Sequence, residues 1–104
     1  MIKYNKAIRD RIPEIIQNSG KNGKVIQLTD EEYLPELEKK LDEEVQEYFS
    51  SRSIEELVDL IEIIYRIIEL RKIQKKEFEE IRLGKLQQRG GFKNNLFLIE
   101  VKPC

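Results

Sequence analysis

Residues 41–62 read LDEEVQEYFSSRSIEELVDLIE, and the fold turns on how they are divided. The SSRS stretch at 50–53 ends one helical pattern and opens another. At about 100° per residue, Leu34, Leu37, Leu41 and Tyr48 of the first segment fall within roughly 60° of one another. Glu44 falls inside or beside that apolar stripe and Glu47 on its rim, while Glu43 projects toward solvent. In the second segment Ile54, Leu57, Val58, Leu60, Ile61, Ile63, Ile64, Ile67 and Ile68 cover more than half the circumference, so this helix needs neighbours on several sides. Glu56 and Asp59 border that apolar arc, and Glu55, Glu62 and Arg66 fill the remaining polar strip.

Residues three apart on a helix share a face. Packed antiparallel, the two segments can bring the pairs Glu44/Glu47 and Glu56/Asp59 around one point. Four carboxylates in a partly buried place repel one another and lose hydration, which protonates some of them unless a cation compensates. The chain has no histidine and a single cysteine, Cys104. All-oxygen ligation of that kind favours Mg²⁺ or Mn²⁺ over zinc. A plainer reading stands beside this one. Glu56 can be the capping-box partner of Ser53, and Glu44 can pair with Lys40 four positions earlier.

Working outward, Pro13 belongs in the first turn of a short helix that stops near Gly20. Lys24 to Leu28 reads as a short strand between turn formers. Thr29 with Glu32 forms a capping box for a helix to about Phe49, with Pro35 kinking it near its start or moving the start to itself. Ser53 with Glu56 opens a second helix to about Arg71. A third runs from about Lys75 to Gln88 and stops at Gly90 and Gly91, which lack the spacing of a phosphate loop. Leu96 to Val101 reads as a last strand, pairing with the first. Tyr48, Phe49 and Phe92 read as core or dimer contacts, and Asp10 as a local ion-pair or capping residue.

With 104 residues, the chain is expected to form one domain over 1–104. Its 19 basic and 20 acidic side chains nearly cancel, and no basic stripe carries interleaved aromatics, so nucleic acid is not an expected partner. The lone cysteine excludes an internal disulfide framework, and the absence of histidine removes the commonest general base. The charged start, MIKYNKAIRD, is unlike a signal peptide, and no apolar run approaches a membrane span. A soluble cytoplasmic protein is the expectation.

The pattern EEVQE followed by EELVD resembles the EExxE and ExxD motifs of the MazG-like nucleoside triphosphate pyrophosphohydrolases, a superfamily that includes phosphoribosyl-ATP pyrophosphohydrolase. YNKAIRDRIPEII, LTDEEYLPELEKKL and RGGF extend the resemblance to a compact single-domain branch of house-cleaning pyrophosphohydrolases, over nearly the whole chain. The resemblance implies an all-α bundle, with the short peripheral strands read above, assembled as a homodimer or higher homo-oligomer. It also implies Mg²⁺-dependent hydrolysis of a nucleotide between its α and β phosphates. By motif position Glu44, Glu47, Glu56 and Asp59 are the metal ligands, and the role of Glu43 stays open. Eight residues separate Glu47 from Glu56, fewer than in many superfamily members, which leaves little room for substrate-selecting insertions.

Cleavage of a triphosphate needs a positioned water and cations on the developing charge. Glu47, with Glu44, is the candidate for orienting or deprotonating that water. Lys6, Arg9 and Arg11 in the lead-in, and Lys85 and Arg89 one turn apart on the last helix, are the candidates for binding phosphate. Two other activities stay open: phosphoribosyl-ATP hydrolysis, and a non-catalytic helical dimerisation or regulatory module.

Overall fold

A computed structural model describes residues 2–103, so the thiol of Cys104 lies outside the described residues. The described chain is mainly helical, in the order α1 (Ile12–Asn18), α2 (Asp30–Ser51), α3 (Ile54–Leu70) and α4 (Lys75–Arg89). It divides into two compact units, Met1–Ile73 and Gln74–Cys104.

The first unit is an αα-hairpin preceded by the lead-in and α1. Pro13 occupies the first turn of α1, where its missing N–H costs nothing, and the chain leaves the helix through Gly20 at φ 83°. At the start of α2 the expected capping box forms. Thr29 Oγ1 accepts from the Glu32 N–H at 3.2 Å, and Glu32 Oε1 accepts from the Thr29 N–H at 3.0 Å. These two bonds hold the start at Asp30, five residues before Pro35, so the proline does not move it. Lying so near the N-terminus, Pro35 forfeits one hydrogen bond, to the Glu31 carbonyl.

The turn between α2 and α3 is short. Arg52 closes α2 in the left-handed region at φ 57°, its N–H donating to the Tyr48 carbonyl at 2.7 Å, and its guanidinium lies over the rings of Tyr48 and Phe49. Ser53 then caps α3, but not as expected. Its Oγ accepts from the Glu55 N–H at 3.2 Å, and the Glu56 carboxylate accepts instead from Ser51 Oγ at 3.3 Å. The second capping box is therefore replaced by a one-sided cap, and Glu56 is not tied to the N-cap backbone.

α2 and α3 pack on each other. Leu37, Ile63 and Leu70 are buried between them together with Ala7 of the lead-in, and Tyr33, Leu34, Leu41 and Ile67 surround this cluster. Burial takes up only one side of the broad apolar arc of α3. Ile54, Leu57, Val58, Ile61 and Ile64 remain exposed along the other.

In the second unit no described residue is buried. α4 ends at Gly90 with φ 78° and ψ 176°, a conformation open to glycine, although not the left-handed cap expected. Neither expected strand forms: residues 24–28 and 96–101 are irregular and largely exposed, and no strand occurs among the described residues. Apolar composition favours a strand locally, but a strand exists only when an edge offers it a ladder of hydrogen bonds, and none is present for either segment. No helix among the described residues is long and apolar enough to cross a membrane.

Candidate metal centre

The inner faces of α2 and α3 bring acids together in two overlapping groups. Oxygens of Glu44, Glu56 and Asp59 lie within 4.8 Å of one another, as do oxygens of Glu43, Glu44 and Glu47. Glu44 belongs to both. It is buried at 5% exposure, the one buried charged residue among those described. Its Oε1 lies 3.8 Å from Lys40 Nζ, so the plain sequence reading of a pair one helical turn apart is correct as far as it goes. The other oxygen, Oε2, is buried with no hydrogen-bond partner.

That arrangement is electrostatically costly. Loss of hydration pushes the Glu44 carboxyl up to about 7, the charges of Glu47 and Asp59 add to the rise, Lys40 offsets part of it, and a hydrogen bond that the protonated carboxyl makes with Glu47 raises it further. Glu47 is exposed at the mouth of the group, and Glu56 and Asp59 are half-buried.

The lead-in reaches the same place. Ala7 is buried in the core, and the Tyr33 hydroxyl donates to the Ile8 carbonyl at 3.3 Å, so the backbone at 7–8 is held against the hairpin. Asn5, one of the residue types that tolerate a positive φ, turns the chain at φ 46° just before it. The flanking side chains then point to acids. Arg9 forms a hydrogen-bonded ion pair with Asp59, and Lys6 Nζ lies 3.4 Å from Glu43. Arg11 pairs instead with Glu14 at 3.1 Å. Five carboxylates thus meet three cations, Lys6, Arg9 and Lys40, which leaves two negative charges uncompensated when all are ionised.

A hard divalent cation fits this donor set. It would match the residual charge and be served by oxygen alone, and Glu44 contributes a buried oxygen, Oε2, that has no hydrogen-bond partner.

Of the residues expected from sequence, Glu44, Glu47, Glu56 and Asp59 share this locus, and Lys6 and Arg9 border it. Arg11 does not. Glu43 was expected to face solvent but is half-buried beside Lys6, an outcome that helical phase within α2 cannot show because the cover comes from the lead-in. Lys85 and Arg89 are carried by the second unit, both exposed, with Arg89 beside Phe92 and Lys93 around an open hollow.

No family model matches the chain, and no solved structure matches it. An uncharacterized protein of Mycolicibacterium smegmatis is 52% identical over 40 residues, which are 38% of this chain and 41% of that protein. The chain thus spans about two fifths of the length of the curated relative it matches.

Proposed function

We propose that the chain is a MazG-like, Mg²⁺-dependent pyrophosphohydrolase that cleaves a noncanonical or surplus nucleoside triphosphate between its α and β phosphates. The observation that carries this reading is buried Glu44, whose Oε2 has no partner where the acids of α2 and α3 meet. Burying a charge without compensation is expensive, and a helical pair that served only as structure would have no use for it.

In this reading Glu44, Glu56 and Asp59 hold the ion, with Glu43 and Glu47 available to a second. Bound there, Mg²⁺ neutralises phosphate oxygens and makes the anhydride phosphorus more open to attack. Glu47, exposed at the mouth, orients a water and takes its proton as the water oxygen bonds to phosphorus. The bond from that phosphorus to the bridging oxygen breaks, giving nucleoside monophosphate and pyrophosphate. Lys6 and Arg9 supply positive charge to the phosphates.

The exposed apolar face of α3 supports assembly as a homo-oligomer. That face also suits a purely regulatory helical module, so self-association does not separate the two functions. The buried carboxylate favours the enzyme.

The test is pyrophosphate release across a panel of nucleotides with Mg²⁺. Wild type is expected to turn over at least one of them, and Glu47→Gln and Asp59→Asn to lose about a hundredfold or more. Absence of turnover on every nucleotide, together with no stabilisation by Mg²⁺, would sink the reading.

A further inference from the structure

The ion pairs of the lead-in go to the carboxylates that a metal would need. Arg9 is bonded to Asp59, a member of the Glu44/Glu56/Asp59 trio, and Lys6 is paired with Glu43, a member of the other. The backbone between them is anchored by buried Ala7 and by the Tyr33 bond to the Ile8 carbonyl, whereas the two cationic side chains are only partly covered. Arg9 holds Asp59 through Oδ1, so a metal that draws the same carboxylate toward Glu44 competes with that bond, and the anchored backbone lets the guanidinium swing away without moving the core.

We infer that Arg9, with Lys6 in a lesser part, is a displaceable counter-ion: it holds Asp59 while the metal is absent, gives way when the metal enters, and is then free to bind phosphate beside it. This rests on the metal-site reading above. It adds a competition between two cations for one carboxylate, and a second role for a residue that the sequence suggests only as a phosphate ligand.

The competition has a sign that a merely supportive Arg9 would not give. Half-exposed ion pairs contribute up to about 1 kcal/mol, so Arg9→Gln should bind Mg²⁺ alone about two- to fivefold more tightly than wild type in calorimetric titration of the whole chain. Arg9→Lys, which keeps the charge, should return most of the way to wild type. Arg11→Gln, whose partner is Glu14, should match wild type. In saturating Mg²⁺, inorganic pyrophosphate should bind Arg9→Gln several-fold more weakly. Thermal melts of the metal-free proteins confirm that each variant is folded, which the partial exposure of the pair allows.

Equal or weaker Mg²⁺ binding by Arg9→Gln would overturn the exchange and leave Arg9 as a fixed support for Asp59. Unchanged pyrophosphate binding would overturn the second role. If Mg²⁺ binds none of the proteins, wild type included, the failure belongs to the metal-site reading itself.

Discussion

Lys40 and Glu44 lie one helical turn apart on α2, with Nζ 3.8 Å from Oε1, yet the pair leaves the second oxygen of Glu44 buried and unpartnered. An ordinary (i, i+4) surface pair is worth a few tenths of a kcal/mol and lies in water. Here the lysine is itself mostly covered, and the carboxyl it pairs with is also repelled by Glu47 and Asp59. The pair lowers the cost of burying Glu44 without removing it.

Glu44→Gln keeps the shape of the side chain and removes the charge. The metal-free variant should therefore melt at or a few degrees above wild type at pH 8, while its stabilisation by Mg²⁺ disappears. Differential scanning calorimetry with and without the ion reads both effects. A large loss of stability in the metal-free variant would instead make Glu44 a structural partner of Lys40.

The capping box at the start of α2 should act on stability alone. Thr29→Ala removes the Oγ1 acceptor for the Glu32 N–H and should cost about 1 kcal/mol in urea unfolding. Ser53→Ala removes a single bond and should cost no more. Neither change should alter Mg²⁺ affinity, because neither side chain belongs to the acidic groups.

These contrasts mark what local sequence could and could not reveal. The helices were legible because Pro13, Thr29 with Glu32, and the apolar period are signals contained within one turn or one face. The four acids were legible for the same reason, since helical phase and a short turn suffice to align them. Glu43 and the Arg9–Asp59 pair were not, because the lead-in that covers one and supplies the other is 37 and 50 residues away along the chain. The Ser53–Glu56 box failed on a choice within a single turn: the hydroxyl engages Glu55, and Ser51 offers Glu56 another donor. The two expected strands failed because strand propensity in 24–28 and 96–101 says nothing about whether an edge is there to pair with.

The exposed side of α3 makes the assembly proposal testable. Val58→Lys or Ile61→Lys places a charge in the middle of the strip formed by Ile54, Leu57, Val58, Ile61 and Ile64. Both positions are open to solvent, so folding should be little affected, within about 0.5 kcal/mol. If the strip is the contact between copies, either variant should sediment as a smaller species than wild type at equal concentration. Unchanged sedimentation would place any association elsewhere.

The pH dependence follows from Glu44 with a definite sign. Its carboxyl titrates near 7 in the folded chain and near 4.5 when solvated, so between those values the folded state binds the extra proton. Stability of the metal-free protein must then fall as pH rises from about 5 to 8, by at most about 3 kcal/mol if Glu44 acts alone. On the acid side the sign reverses. The cap bonds from Thr29 hold the exposed Glu32 carboxyl below its ordinary value, and the Arg82 guanidinium does the same for Glu79, so their contributions are present above about pH 4.5 and fade below it. The metal-free protein should thus be most stable near pH 5. Saturating Mg²⁺ requires the ionised carboxylate, so it should flatten the decline between pH 5 and 8, with the largest gain in melting temperature at pH 8. In Glu44→Gln the decline should be absent from the start, since the group that titrates in that window is gone. Melting curves at half-unit steps of pH, with and without Mg²⁺, for wild type and this one variant, decide the point. A wild-type profile that is level or rising from pH 5 to 8 would show that Glu44 does not carry a buried, uncompensated charge.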